Sequence, residues 1–251
     1  MGNKSYDESR EGSLELEKIL EEAKSAPIKL EPGQAALYIG SGSIGRIEDI
    51  ALLVDTATYI LSDRECFSKD ETLKVGNKTI VTTSKDGFEV LKENPIGFVL
   101  IDQAVVYSPE QWNLIRNGAY VVNHSITGDR AEFLNKRIGL VRAGKSIYQK
   151  IRDVNPEDFE VANSLEYAIG NMSSLNVEDG QEFNVYGEIY DPEEPKQFYD
   201  KLSNLWPKLN AEEKSIVRSQ LEDASKELAS KPGKTRAEIN SYFKRALKSL
   251  K

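Results

Sequence analysis

The 251 residues include only one cysteine, Cys66, and one histidine, His124. A lone cysteine excludes an intramolecular disulfide. The two together are too few for a Cys/His zinc site, so no metal ligands are expected. No apolar run approaches the ~18 consecutive residues of a membrane span. The opening MGNKSYDESREG is polar and lacks the apolar stretch of a signal peptide. Ser5 stands one place short of the usual myristoylation spacing after Gly2. A soluble, cytoplasmic protein without membrane contact is the expectation.

Positive charge is also scarce. Against 41 Asp and Glu there are 33 Lys and Arg, a net charge of −8. As a whole such a chain repels a polyphosphate backbone, which argues against nucleic acid as its main partner. Two segments run the other way. Residues 129–152 carry seven basic side chains against two acidic, and residues 231–251 carry seven against one. They leave open a basic edge for RNA, a phosphorylated substrate or an acidic partner. Lys244, Arg245, Lys248 and Lys251 would equally complement the dipole of their own helix. With 39% hydrophobic and 29% charged residues, the composition is enough to fill a packed core.

Along the chain, Leu14, Leu16, Ile19, Leu20 and Ala23 give an N-terminal helix an apolar face that ends before Pro27. A turn at Glu31-Pro32-Gly33 leads into AALYI, the profile of a buried strand. After GSGSIG, Ile47, Ile50, Ala51, Val54 and Ala57 repeat at helical spacing, and TYIL follows as a second strand. Arg64 to Asn77 is polar and reads as a loop. KTIVTT is a third strand, and Asp86-Gly87-Phe88-Glu89 opens a short helix. IGFVLI is a fourth strand. Ser108-Pro109-Glu110-Gln111 starts a helix that closes at Asn117-Gly118, and AYVVN is a fifth strand. A short helix over 129–135 precedes IGLVRAGKSIYQKIRDV, whose halves flank Ala143-Gly144-Lys145 as in an antiparallel hairpin.

Strands alternating with helices predict an α/β fold: a mostly parallel, Rossmann-like sheet with helices on both faces and a terminal antiparallel hairpin. Three segments are expected. Residues 1–33 hold the N-terminal helix and linker, 34–153 the cofactor-binding domain, and 154–251 a mainly helical extension. In the last, 154–192 have weak periodicity, with a strand or two around EFNVYGEIY. Capping signals at Asn210-Ala-Glu-Glu213 and Thr235-Arg-Ala-Glu238 introduce two apolar-faced helices. These offer a surface for packing on the core domain or for homo-oligomer formation.

The chemistry concentrates in Gly40-Ser41-Gly42-Ser43-Ile44-Gly45, a G-x-G-x-x-G between a strand and a helix. Its glycines let the chain turn sharply and let backbone approach a ligand. Asp63, about twenty residues on, ends the next strand, where a carboxylate accepts from ribose hydroxyls.

LYIGSGSIG resembles motif I of the class I S-adenosylmethionine-dependent methyltransferases, and the likeness of pattern and order covers about residues 34–153. The resemblance implies S-adenosyl-L-methionine as cofactor, held by Gly40, Ser41, Gly42 and Gly45. It places Asp63 at the ribose, Ser84 to Phe88 with Asp86 at the adenine, and Asp102 at the substrate-facing end of the fourth strand. A methyl group would pass to an acceptor that the sequence does not identify. Asp102 and His124 are the candidate catalytic bases, and Asp102 could instead contact the cofactor amine. Tyr107 and Trp112 could line a substrate pocket or pack in the core. Tyr38 stands where that family commonly has an acid, and Ile44 replaces its third glycine. These departures keep a non-catalytic binding or interaction module open. The three-glycine spacing also fits an NAD(P)-dependent oxidoreductase. Against that stand the lack of any Tyr-x-x-x-Lys pair and the compact region after the third strand.

Overall fold

The computed structural model describes residues 28–102, 107–123, 132–144, 147–174, 194–230 and 234–250. The N-terminal helix expected over 14–23, His124 and the EFNVYGEIY segment lie outside these residues. The chain divides into two compact units, residues 1–159 and 160–251.

The first unit is built on strands. A short parallel pair joins β1 (Ile28–Lys29) to β3 (Val54–Asp55). Between β1 and β2 (Ala35–Ile39), the Gln34 N–H donates to the Glu31 carbonyl at 3.0 Å. Gly33, at φ 86°, takes the third turn position, where a type II turn demands positive φ, and Pro32 precedes it. The remaining strands are β4 (Thr58–Ser62), β5 (Glu71–Val75), β6 (Lys78–Thr83), β7 (Ile96–Ile101), β8 (Tyr120–Asn123), β9 (Leu140–Gly144) and β10 (Ile147–Lys150). With β2 they form one eight-stranded sheet in the order β5-β6-β4-β2-β7-β8-β10-β9. The five strands from β6 to β8 run parallel. β5 pairs antiparallel with β6, and β10 pairs antiparallel with both β8 and β9. The expected mixed α/β architecture with a mostly parallel sheet is what the chain adopts.

The central strands are apolar along their whole length because both faces are covered. On one face Ala36, Tyr38, Tyr59, Leu61, Phe98 and Leu100 pack with Ile50 and Leu53 of α1 (Ile47–Leu53). On the other, α2 (Gly87–Glu93) lies against Ile39, so close that a Cβ on Gly87 would sit 2.6 Å from Ile39 Cγ1. α3 (Pro109–Asn113) begins with the capping box read from its sequence: Ser108 and Gln111 exchange side-chain and backbone bonds. It brings Trp112 to full burial, with Nε1 donating to the Ile138 carbonyl at 3.0 Å. α4 (Glu132–Arg137) precedes the β9–β10 pair. The side chain of Lys150 is fully buried beneath this layer, donating to the Ile115 carbonyl and to Asp153.

Three local expectations are corrected. Residues 64–77 are not all loop, because β5 lies within them. Each of its five residues is exposed, so no apolar alternation betrays it, but the two-residue Gly76-Asn77 corner is a hairpin signal. The helix after the glycine loop ends at Leu53 rather than running on to Ala57, because Val54 joins β3. The helix starting at Pro109 stops at Asn113, before Asn117-Gly118.

α5 (Pro156–Ser174) crosses the boundary between the units. It was not expected from the weak periodicity of 154–192. Its start is nonetheless written in Asn155-Pro156, and Asn155 Oδ1 accepts from the Asp158 N–H at 2.7 Å. The second unit continues with α6 (Glu194–Leu205), a 3₁₀ turn at Trp206–Lys208, α7 (Ala211–Ser230) and α8 (Lys234–Ser249). Asn210 and Glu213 form the reciprocal cap at the head of α7. Val217, Leu221, Phe243 and Ala246 are buried in this unit, and Ser225 hydrogen-bonds Asn240 across α7 and α8 at 2.6 Å. None of the described helices is long and apolar enough to cross a membrane.

The Gly87 contact yields a test. Gly87→Ala should cost about 1–3 kcal/mol in urea unfolding, the usual penalty of overpacking. Combining it with Ile39→Ala should cost less than the two single changes added together, since the clash is shared.

Candidate functional site

The chain order sets where a site can form. From β2 the path moves to β4 and β6 on one side, then crosses to β7 and β8 on the other. Beyond the C-terminal ends of β2 and β7 the loops therefore diverge and leave a crevice, the general ligand position in open α/β sheets. A cleft of about 390 Å³ lies there. It is lined by Ile39 and Gly40 from the end of β2 and by Ser62 to Cys66 from the end of β4. Asp86, Gly87 and Phe88 come from the head of α2, Asp102 follows β7, and Gln111 belongs to α3.

The turn after β2 holds its shape through backbone and carboxylate bonds. Gly40 N–H donates to the Ser62 carbonyl at 2.8 Å, prolonging the β2–β4 ladder past the strand end. Gly40 and Gly42 both adopt positive φ, 76° and 68°, where a side chain would be strained. Gly42 N–H then donates to Asp63 Oδ2 at 2.9 Å. The other oxygen, Oδ1, accepts from the N–H groups of Glu65 and Cys66, both at 2.9 Å. Burial alone would raise the Asp63 pKa, but these backbone donors outweigh it and hold the carboxyl below its ordinary value. Cys66 moves the opposite way. Slight desolvation and the negative charge of Asp63 raise its thiol pKa, so it stays a thiol rather than a reactive thiolate.

Asp86 sits at the opposite wall. Its Oδ1 caps α2 by accepting from the Phe88 N–H at 2.7 Å, and its Oδ2 receives the Arg64 guanidinium. Asp102 is anchored by its own N–H to the Ile39 carbonyl at 3.0 Å, and the Tyr38 hydroxyl approaches its Oδ2 at 3.4 Å. Phe88, half-buried Tyr107, Trp112 and Phe159 form an aromatic cluster, with the Tyr107 and Trp112 rings stacked at 5.5 Å. Of these four, Phe88 lines the cleft.

Of the sequence-predicted site residues, the structure gathers Gly40, Asp63, Asp86 and Asp102 around one cavity. Ser41, Gly42 and Gly45 are not among its lining. Gly42 contributes through its bond to Asp63, and Gly45 lies in the 3₁₀ turn Ile44–Arg46 without positive φ. That turn separates the loop from α1, so the helix does not start directly at the glycines as the motif suggests. His124 lies outside the described residues. Trp112 is core, held by its indole bond. Arg64, Glu65, Cys66 and Gln111 were missed as lining residues; nearness in sequence to Asp63 was the available signal for the first three, and Gln111 had none.

By formal charge the described residues of the lining hold four carboxylates, Asp63, Glu65, Asp86 and Asp102, against one cation, Arg64. Such a cavity attracts a cationic ligand and repels a polyphosphate. Among the described residues, no group of three or more His, Cys, Asp or Glu side chains is placed to hold a metal ion. No protein-family model, curated protein or solved structure matches the chain.

Asp63 gives a pH-dependent expectation. A carboxyl with a lowered folded pKa stabilises the fold above its unfolded pKa, and that contribution is lost as pH falls through the folded value. Asp63→Ala should therefore cost about 1 kcal/mol near neutral pH, allowing for partial exposure. The gap from the parent in thermal unfolding should close below roughly pH 4.

Proposed function

We propose that the chain is a Rossmann-like, S-adenosylmethionine-binding protein of the methyltransferase kind, which passes the methyl group to an acceptor in the same cleft. The observation that carries this reading is the carboxylate-rich cavity beside a glycine turn at the switch point of the sheet. A sulfonium cofactor with an ammonium group matches a lining whose described residues carry a formal charge of −3, counted as one cation against four carboxylates. The diphosphate of a nicotinamide dinucleotide does not. The sheet order supports the same reading, with the first parallel strand central and the last-formed strand, β10, set antiparallel between β8 and β9.

The bound cofactor would supply an activated methyl group. What remains for the protein is alignment and, where the acceptor must lose a proton, a base. Gly40 and Gly42 let the ligand approach backbone without a side chain between them, and a Cβ on Gly42 would meet nothing within 4 Å. Asp63 holds that turn in place through Gly42. Three backbone donors already occupy most of its acceptor capacity, leaving about one lone-pair site for a ribose hydroxyl. Asp102, backed by Tyr38, presents the carboxylate that meets a cationic group or takes the acceptor proton.

A second reading, binding without turnover, draws on Tyr38, whose hydroxyl approaches the carboxylate best placed to act as the base.

Calorimetric titration separates the readings. S-adenosylmethionine should bind and NAD should not. Gly42→Phe should abolish binding at a cost in stability of about 1–2 kcal/mol from the positive φ, the fold surviving because the new Cβ meets nothing within 4 Å. Unchanged affinity in that variant would reject the glycine turn as the ligand seat. Binding by the parent without methylation of any offered acceptor would favour the non-catalytic reading.

A further inference from the structure

Among the described residues Arg64 is the one cation lining the cleft, and it follows directly on Asp63. Its side chain is 68% exposed, yet its guanidinium is tied to Asp86, which is 17% exposed. Asp86 in turn is committed twice, one oxygen to the Phe88 N–H that starts α2 and the other to Arg64. An exocyclic amine seeking Asp86 would have to compete with a charge-paired guanidinium for the same oxygen. Hydrogen-bonded reading of a base by Asp86 is therefore disfavoured in this arrangement. What the ion pair offers instead is a planar, weakly hydrated group held in the cavity lining. Phe88, 3% exposed and braced by the Tyr107 ring at 5.8 Å, is a further lining residue.

We propose that Arg64, pinned by Asp86, holds the heterocyclic base of the ligand by stacking its guanidinium plane on the ring. The cleft then accepts purines with little regard to their 6-substituent. The inference rests on the cofactor reading above and adds a specificity to it. Stacking on a π-face tolerates different bases, whereas a site built to hydrogen-bond an amine rejects its oxo analogue. Arg64 is a binding residue here, with no role in the transfer step. An ion pair this exposed contributes little to stability, so its loss leaves the fold intact.

The test compares S-adenosylhomocysteine with S-inosylhomocysteine, its 6-oxo counterpart, by titration into the full chain. The parent should bind the two within about threefold of each other, and Arg64→Ala should weaken both together by about tenfold or more. Arg64→Lys, which keeps the charge but not the plane, should not restore them. A preference of about 100-fold for the adenosyl compound that persists in Arg64→Ala would overturn the stacking role and leave the cofactor reading standing. Full recovery with lysine would overturn it too, since charge alone would then suffice. If neither compound binds the parent, this inference falls, and the cofactor reading falls with it when S-adenosylmethionine fails to bind as well.

Discussion

A single carboxylate gathers the loops from which the cleft is made. Asp63 draws in the N–H of Gly42 from one connection and those of Glu65 and Cys66 from its own. Because β2 and β4 are neighbours in parallel register, Asp63 leaves the sheet just beside the glycine turn, and no long side chain is needed to span the gap. The acid thus completes a hydrogen-bond ladder that the end of the strands would otherwise cut off. On that side of the cavity, the connection carrying Glu65 and Cys66 is tied through this group to the glycine turn.

On the far side the constraint is steric rather than electrostatic. Gly87 allows α2 to seat directly on Ile39, which brings Asp86 and Phe88 to the same cavity as Gly40. Lacking a Cβ serves different ends at the two places. At Gly40 and Gly42 it permits a left-handed backbone, and at Gly87 it permits contact between layers. Asp86 then has two duties at once, helix cap and counter-ion, so the wall of the cavity and the start of the helix are mechanically one object.

Legibility in the sequence followed burial. AALYI and IGFVLI stand out because strands covered on both faces are uniformly apolar and bounded by turn residues, and the structure places β2 and β7 on them. β5 was hidden because all its residues face solvent, so its pairing is written only in the hairpin corner. α5 was hidden by weak periodicity despite a clear Asn-Pro start. In the cleft, Gly40 and Asp63 were readable from spacing alone, since adjacent parallel strands convert a fixed separation into proximity. Phe88 was readable only as part of the stretch Ser84 to Phe88, and Gln111 not at all, because crossovers and helix packing bring them in. The partner of Asp86 was equally invisible, as twenty-two residues separate it from Arg64.

The outlying hairpin has a practical side. Residues 71–77 are all exposed, and the Gly76-Asn77 corner precedes β6, at the end of the sheet opposite the cleft. Extra chain spliced into such a tip leaves the parallel strands and their crossovers undisturbed. That corner is the natural place for a peptide tag or a reporter domain, attached to a protein whose lone thiol, Cys66, already marks the other end.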